Sequence, residues 1–545
     1  MSYAKRAKAV RGRILISCDF RNETVLRLFI VFVSLFILGC SSSSRLDGFV
    51  YYRINANPTT LDPALIVDVT GASIAAKLFN GLVKLDENLS VVPDIAEQWR
   101  ISGDGLKYTF FLKKNVRFKN GRTVNAHDFK FSYERVLHPD SRSPVTWVFD
   151  KVYGASEFKS GKAKEVIGFR VIDEHTFEIR LNSVFAPFMN MLTTTTAYVV
   201  PKEDAGRLGP DFSSNPTGTG PFSLRDWKQN SEVTLVRNDD YFEEKAKIKG
   251  IVYKIIPEDL TAITDFELGN LDVISLPASA YSKFRDDPKR KDDVLAMNAP
   301  NTYYLGLNCS KPPFDKAELR RAVGLAVDRK KILETFYERR GRLAGGPVAD
   351  VIRAWRLDAK ANAFAYAPEE AAKTIKKLYP QGLEAKLYIT ADQDVVDLAE
   401  IIQAYLEKTG LRVVIKQLEW SAYKQAINSG EPDMFWLSWW ADYPDPENFL
   451  FPLFHSANFG SGGNRTRYVN RDVDRFIEQG QKSVDIEKRN DFYRRAEESI
   501  ISEAPWIPFW HRTDYLVKQP WIKGYKIYPI HTMDKGLGIR KEPRR

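Results

Sequence analysis

Cysteine is scarce. The 545 residues contain only Cys18, Cys40 and Cys309, which cannot build a disulfide framework. Histidine is scarce as well: His127, His138, His175, His455, His511 and His531 show no paired ligand spacing, so a free metal ion is disfavoured. H-E-x-x-H, a nucleophile elbow and C-x-x-C are missing, which argues against a secreted peptidase and for a chain that is not an enzyme. Without G-x-x-x-x-G-K-[ST] the chain cannot power ATP-driven work itself. No segment repeats at the period of a solenoid or propeller. The glycine-containing stretches fall short of cofactor motifs. NPTGTGPF (Asn215 to Phe222) lacks the strand, third glycine and following helix of a dinucleotide site, and GSGGN (Gly460 to Asn464) reads as a flexible loop. No cofactor is expected.

What is present is a globular composition, 44% hydrophobic with charges of both signs. The length suits about two to four domains or one large interrupted architecture. The 11 Trp, 24 Tyr and 33 Phe can fill a large core and also line a cavity. A net charge of +10 invites a nucleic-acid reading, but half of that excess sits in residues 1–39. There Lys5, Arg6, Lys8, Arg11, Arg13, Arg21 and Arg27 face only Asp19 and Glu23. The remaining dense basic run, Arg540 to Arg545, reads as a solvated tail, so no nucleic-acid partner is expected.

Leu28–Leu38 (LFIVFVSLFIL) is too short for a typical membrane span and suits the apolar core of a signal peptide. Ile37-Leu38-Gly39-Cys40 resembles a bacterial lipobox, in which the cysteine thiol receives a diacylglycerol. Ser41–Ser44 would form a polar tether. The expectation is a signal peptide over 1–39, a lipidated Cys40 with its tether over 40–46, and a cell-envelope, extracytoplasmic location held to a membrane by lipid. A signal anchor with a chance cysteine is the alternative. The long basic stretch before Arg27 suggests an overextended start, with Val25 opening a compact signal.

The rest is mixed α and β. FVYYRI (Phe49 to Ile54), KYTFFLKK, TFEIRLN, EVTLVRN and GIVYKIIP read as strands, several with strict apolar–polar alternation. Asp315 to Tyr337 keeps one apolar face and reads as a single long helix. A helix from Asp394 should stop at Gly410, followed by a strand LRVVIKQLE and a helix through Trp420 and Tyr423. Such an order suggests an open mixed sheet. RDVDRFIEQG and Asp485 to Glu503 add helix. Cys309, in YYLGLNCS, is expected in a strand as a small buried hydrophobe.

WLSWWADYPDPENF (Trp436 to Phe449) sets Asp442 among aromatic residues. A carboxylate walled by rings is disfavoured until a cation arrives. An aspartate that caps a turn at Asp442-Tyr443-Pro444 is the structural alternative.

Several segments, taken together, resemble one family. They are LDPALIVDVTGA (from Leu61), LFNGLVKLDENLSVVPDIAEQW (from Leu78), the stretch Asp104 to Leu137, NPTGTGPFSL, RNDDYF, ELGNLDVI, PFDKAELRRAVGLAVDRKKI and WWADYPDPENF. Their order and spacing are similar to the family 5 solute-binding proteins of ABC importers, the oligopeptide- and dipeptide-binding group. The resemblance implies an α/β periplasmic-binding-protein-like fold of two closing lobes with an extra inserted domain, the cluster C type. It implies lobe I over 47–86, 198–297 and 511–545, an inserted domain II over 87–197, and lobe III over 298–510. It implies capture of oligopeptides or dipeptides by a monomer and delivery to an ABC permease with its ATPase subunits.

In the same way the resemblance assigns Asp442 to the α-ammonium group of a peptide, with Trp439, Trp440, Ala441 and Tyr443 around it. It places Val67, Asp68 and Val69 on the facing lobe as backbone partners for an extended ligand. Asp68 departs from the small residue common at that place. Trp147, Tyr303 and Tyr304 are pocket or core aromatics. Arg339, Arg340 and Arg342 are candidates for a ligand carboxylate, or a solvated basic face. Trp436 and Trp439 leave room for an apolar or sugar ligand. An oligosaccharide, a metal chelate, or a sensor or chaperone without a transporter remain alternatives.

Overall fold

The strands form where side chains alternate. Phe49–Ile54, Lys107–Leu112, Thr176–Arg180, Glu232–Arg237 and Gly250–Ile255 are all extended, as expected, the last four on a period of two. In Lys107–Leu112 the alternation is complete, with Tyr108, Phe110 and Leu112 buried. The computed structural model describes residues 45–354 and 364–544. The expected signal peptide, Cys40 and most of the expected tether fall outside the described residues. Among the described residues no helix is long and apolar enough to cross a membrane.

A 12-stranded mixed sheet runs through Gly48–Arg545. From one edge ten strands follow in the order Leu411–Leu418, Leu383–Thr390, Met434–Trp440, Asn301–Leu307, Trp506–Lys518, Val273–Ser275, Phe49–Ile54, Gly250–Ile255, Glu232–Arg237 and Phe222–Lys228, and Val294–Asn298 and Gly341–Leu343 pair with Trp506–Lys518 off this path. The strand Trp506–Lys518 is its spine. Its first half pairs antiparallel with Asn301–Leu307 (Tyr303 opposite Trp510), and its second half with Val294–Asn298 and Val273–Ser275. The chain therefore passes twice between the two halves of the sheet, at Ala299-Pro300 and at Arg512-Thr513. Each half has its own core. One gathers Leu305, Ile389, Trp436 and Trp510, the other Val50, Phe79, Leu235 and Ile251.

A separate four-stranded antiparallel sheet, Ala96–Ile101, Lys107–Leu112, Thr176–Arg180 and Phe169–Asp173, packs on the helix Ala126–Leu137. Asn125 and Asp128 close that helix with a reciprocal capping box.

Two local expectations need correction. The long helix breaks in two, Ala317–Ala326 and Arg329–Thr335. Asp328 starts the second piece by accepting from Lys331 N at 2.9 Å, so a cap interrupts an apolar face that continues across it. Cys309 lies in the turn after the strand Asn301–Leu307, not within it. Burial pushes its thiol up to about 12, so it stays protonated and unreactive. NPTGTGPF is a loop, as expected, and its glycines serve packing. A Cβ on Gly218 or Gly220 would meet the backbone of Leu78 or Lys77 at 2.1 to 2.3 Å.

Candidate functional site

A cavity of about 330 Å³ opens where six chain segments converge. One wall is Ile66 to Val69 with Ala72; the facing wall is Trp440, Ala441 and Asp442. Pro144, Val145, Trp147 and Thr194 to Thr196 reach in from the side of the four-stranded sheet. Pro300 and the segment Pro529 to Thr532 complete it. The size falls at the lower end for small-molecule sites.

Asp68 explains the first wall. It is the N-cap of the helix Val69–Leu78, and its carboxylate accepts from Gly71 N at 2.7 Å and from the Thr59 hydroxyl at 2.5 Å. A cap of this kind is worth about 1 kcal/mol. It fixes the start of the helix behind the extended segment, and Val67 and Val69 stay 66% and 56% exposed, which is unusual for large apolar side chains. The aspartate that departs from the expected small residue thus holds the wall in place.

The second wall follows from strand periodicity. In Met434–Trp440, Trp436, Ser438 and Trp440 share one face, and Leu437 and Trp439 the other. Trp440 ends the strand at the cavity. Trp439, on the opposite face, packs against the core cluster that contains Tyr423, Phe449 and Trp506. Trp436 is 7% exposed, inside the core against Phe509 and Trp510. Tyr443 is 3% exposed, in the core of the four-stranded-sheet unit beside Trp147 at 6.0 Å. The structure thus brings Trp440, Ala441, Asp442, Val67, Asp68, Val69 and Trp147 to one cavity and leaves Trp436, Trp439 and Tyr443 as packing residues. Tyr304 is fully buried and stacked on Trp506, and Tyr303 lies against Trp436 and Trp510.

The backbone of the turn after Trp440 has its own hydrogen bonds. Ala441 N donates to Pro300 O, and Asp442 N donates to the Asn448 side chain, each at 2.9 Å. The capping oxygen belongs to Asp445, which accepts from Glu447 N at 3.0 Å. Asp442 is exposed to the cavity yet surrounded by protein on its other sides. Desolvation raises its carboxyl above the ordinary aspartate range, with an opposing hydrogen bond from Asn448. Among the described residues it makes no ion pair. A carboxylate in this state favours an arriving cation.

Behind the wall lies a buried polar network. Asp445 is paired with Arg489 and accepts from Asn190 Nδ2 at 2.9 Å. Glu447 accepts from the Tyr443 hydroxyl and from Gln481 Nε2 at 2.8 Å. Burial pushes Glu447 up to about 7 despite the Tyr443 hydrogen bond. Asn190 and Trp147 belong to the four-stranded-sheet unit, so the network and the Trp147–Tyr443 contact join it to the Asp442 loop.

The candidate arginines sit elsewhere. Arg339 and Arg342 line a different cavity with Lys330, Arg342 is paired with Asp350, and Arg340 lies 4.4 Å from the Tyr337 ring centroid. Missed in the sequence were the threonine run Thr194 to Thr196 and the segment Pro529 to Thr532. The run of identical small polar residues was a visible signal. His531 gave none beyond its rarity. It lines the cavity, and desolvation lowers it to about 4, so the imidazole is neutral at physiological pH. Among the described residues no cluster of metal-ligating side chains forms.

Three comparisons bear on this arrangement. The sequence profile of the bacterial extracellular solute-binding proteins, family 5 (middle region), matches residues 90–461. Curated relatives include heme-binding protein A of Haemophilus influenzae, 30% identical over 90% of this chain and 92% of that one. The dipeptide-binding protein of Pseudomonas aeruginosa is 28% identical over 93% and 97% of the respective chains. Among solved structures, HbpA2 from Haemophilus parasuis superposes with a TM-score of 0.80 at 26% identity, covering 91% of this chain and 100% of the other. The periplasmic binding protein DppA from Helicobacter pylori, in complex with the peptide STSA, gives 0.75 at 25%, covering 91% and 98%.

Proposed function

The chain belongs to the family 5 bacterial extracellular solute-binding proteins, and from that premise we propose that it captures short peptides by the free amino end at Asp442. Family membership makes it an extracytoplasmic binding protein of ABC transport and not an enzyme. Its mixed α/β fold is that of the periplasmic peptide-binding structures. The observation that carries the peptide reading is Asp442: a carboxylate in a cavity, raised by desolvation, with its local turn secured by other groups. A charge-assisted hydrogen bond to an ammonium group resolves that cost. Every peptide presents the same ammonium, so this anchor is indifferent to side chains. Val67 and Val69 on one wall and Ala441 on the other supply backbone edges for an extended ligand.

We read the chain as lobe I over 47–86, 198–297 and 511–545, inserted domain II over 87–197 and lobe III over 298–510. The two chain crossings at Ala299-Pro300 and Arg512-Thr513 support that division. Closure of the lobes would create the surface a permease recognises. The protein would act as a monomer, tethered by lipid on Cys40, and hand its ligand to a permease driven by separate ATPase subunits.

The test is calorimetric titration of ligand-stripped protein with free and N-acetylated di- to tetrapeptides, repeated on Asp442→Ala. Free-amine peptides should bind, and acetylation or the substitution should remove most of the affinity. Equal binding of acetylated and free peptides would refute the ammonium anchor. Heme is a second reading, favoured by the Haemophilus relative's name and by the neutral imidazole of His531 at the cavity. A Soret titration decides it: a saturable shift lost in His531→Ala would support heme.

A further inference from the structure

The four-stranded-sheet unit meets its two neighbours in different ways. Towards lobe I, Arg135 pairs with Asp62, Lys113 pairs with Glu243 at 3.4 Å, and the buried Asp94 accepts from Asn80 Nδ2 at 2.8 Å. Towards lobe III the seam runs through one turn and one helix end. Tyr443 inserts into the core of the unit beside Trp147, Asn190 Nδ2 donates to Asp445 at 2.9 Å, and Ala186 N donates to Gln481 O at 2.7 Å. A swing of lobe III away from lobe I and its attached unit parts this seam.

Glu447 sits directly behind it. The residue is 3% exposed, and its carboxylate accepts from two seam residues, the Tyr443 hydroxyl and Gln481 Nε2. Asp445 faces it from its own turn, and Arg489 and Tyr493 reach in from the helix Ile486–Glu503. The charge of Arg489 is also felt by Tyr108 of the four-stranded-sheet unit. Two carboxylates thus share one guanidinium, and Arg489 is committed to Asp445. An ionised Glu447 leaves a net negative charge buried in the closed seam; a protonated one leaves a matched pair. Burial pushes Glu447 up to about 7, in keeping with that count of charges. Parting the seam wets Tyr443 and Gln481 and lets water reach Glu447, which returns it towards its ordinary 4.5.

We propose that this seam is a proton-linked latch: lobe III closes on the four-stranded-sheet unit with Glu447 protonated, so ligand capture takes up a proton and a rise in pH favours release. The inference rests on the lobe division and the peptide reading above, and it adds a control that acts away from the ligand. The closed form holds the proton more tightly than the open one. Its help to closure is complete below about pH 4.5 and is lost as pH rises through about 7. Asp442 works in the other direction, because its ionised form receives the ligand. The two carboxyl groups bound the working range from opposite sides.

The experiment places spin labels at Lys162→Cys and Lys488→Cys, exposed positions on opposite sides of the seam. Their distance distribution is read in ligand-stripped protein at about pH 6.5 and about pH 8.5. The long-distance share should grow at the higher pH, and Glu447→Gln should give one distribution at both. Between these pH values trialanine affinity, by calorimetry, should fall roughly 4-fold more in wild type than in Glu447→Gln. That ratio cancels the ligand's own amine and Asp442. Thermal melts establish that each variant is folded. If Glu447→Gln is not, Tyr443→Phe decides: it removes the hydroxyl that favours the ionised carboxylate, so the transition should move to higher pH. A wild-type distribution that ignores pH, or a dependence that survives in folded Glu447→Gln, overturns the latch and leaves the peptide reading standing. A dependence lost in Glu447→Gln, with no trialanine bound at either pH, supports the latch and overturns the peptide reading.

Discussion

Asp442 and Asp445 stand in one turn and meet opposite fates. Asp445 is 1% exposed, paired with Arg489, bonded by Asn190 and used as a cap for Glu447. Asp442 faces a cavity, and among the described residues it has no cationic partner. The same side chain is a structural element where its charge is matched inside the fold, and a receptor where it is left for something outside to match. Sequence proximity did not decide this. Arg489 is brought in from 44 positions away, and it reaches only one of the two.

The comparison breaks most visibly at the paired site. Arg489→Ala leaves Asp445 buried without its counter-charge, and stability should fall by about 3–5 kcal/mol in urea denaturation. The double variant Asp445→Asn with Arg489→Met should lose much less, because no isolated charge remains. A double variant as unstable as the single one would mean that Arg489 matters for packing on Tyr493 more than for charge.

At the unpaired site the signs reverse. Asp442→Asn should leave stability within about 1 kcal/mol of wild type, since the turn hangs on Asn448, Pro300 and Asp445. Peptide affinity should fall by about 2–5 kcal/mol, measured by calorimetry. Binding should also weaken as pH drops through the raised range of the Asp442 carboxyl, at higher pH than an ordinary aspartate would show.

Glu447 sharpens the contrast, because burial raises it as it raises Asp442, but without a cavity to open onto. Its folded value of about 7 lies above its ordinary 4.5. The folded state therefore holds the proton more tightly than the unfolded chain. That stabilisation is complete below about pH 4.5 and is lost as pH rises through about 7. The difference between these limits is about 3 kcal/mol. Glu447→Gln should flatten this part of the profile, compared by denaturation at about pH 5 and about pH 8. An unchanged slope would assign the titration to another group.

What the sequence made legible was local. Strands such as Lys107–Leu112 and Thr176–Arg180 are written in a period of two, and Gly410 stops its helix with a φ of +90°. The same period, applied to Met434–Trp440, separates Trp440 from Trp439, although the rings look equivalent in a string of aromatics. The cap signal of Asp68 was also present, an aspartate three residues before Gly71 at a helix start. What stayed illegible was long-range. The break at Asp328 leaves the apolar face intact on both sides, so periodicity alone runs the two helices together. Pro144, Thr195 and Ile530 meet around Asp442 because three distant loops converge, and no window of sequence contains that.

The smallest effect tests how the four-stranded-sheet unit takes part. Asn190 donates to Asp445 at 2.9 Å, and Ala186 N donates to Gln481 O at 2.7 Å, so that unit touches the Asp442 turn through few polar contacts. Asn190→Ala removes one hydrogen bond to a charged acceptor whose main partner, Arg489, remains. Stability should fall by about 1 kcal/mol, well below the loss in Arg489→Ala. If the contact also favours the form in which this unit rests against the turn, peptide affinity should drop a few-fold through a faster off-rate, with the on-rate little changed. Stopped-flow fluorescence reads this directly, because Trp147 and Trp440 both line the cavity. A loss of stability with no change in the off-rate would make Asn190 a partner of the paired aspartate alone, with no hold on the unpaired one.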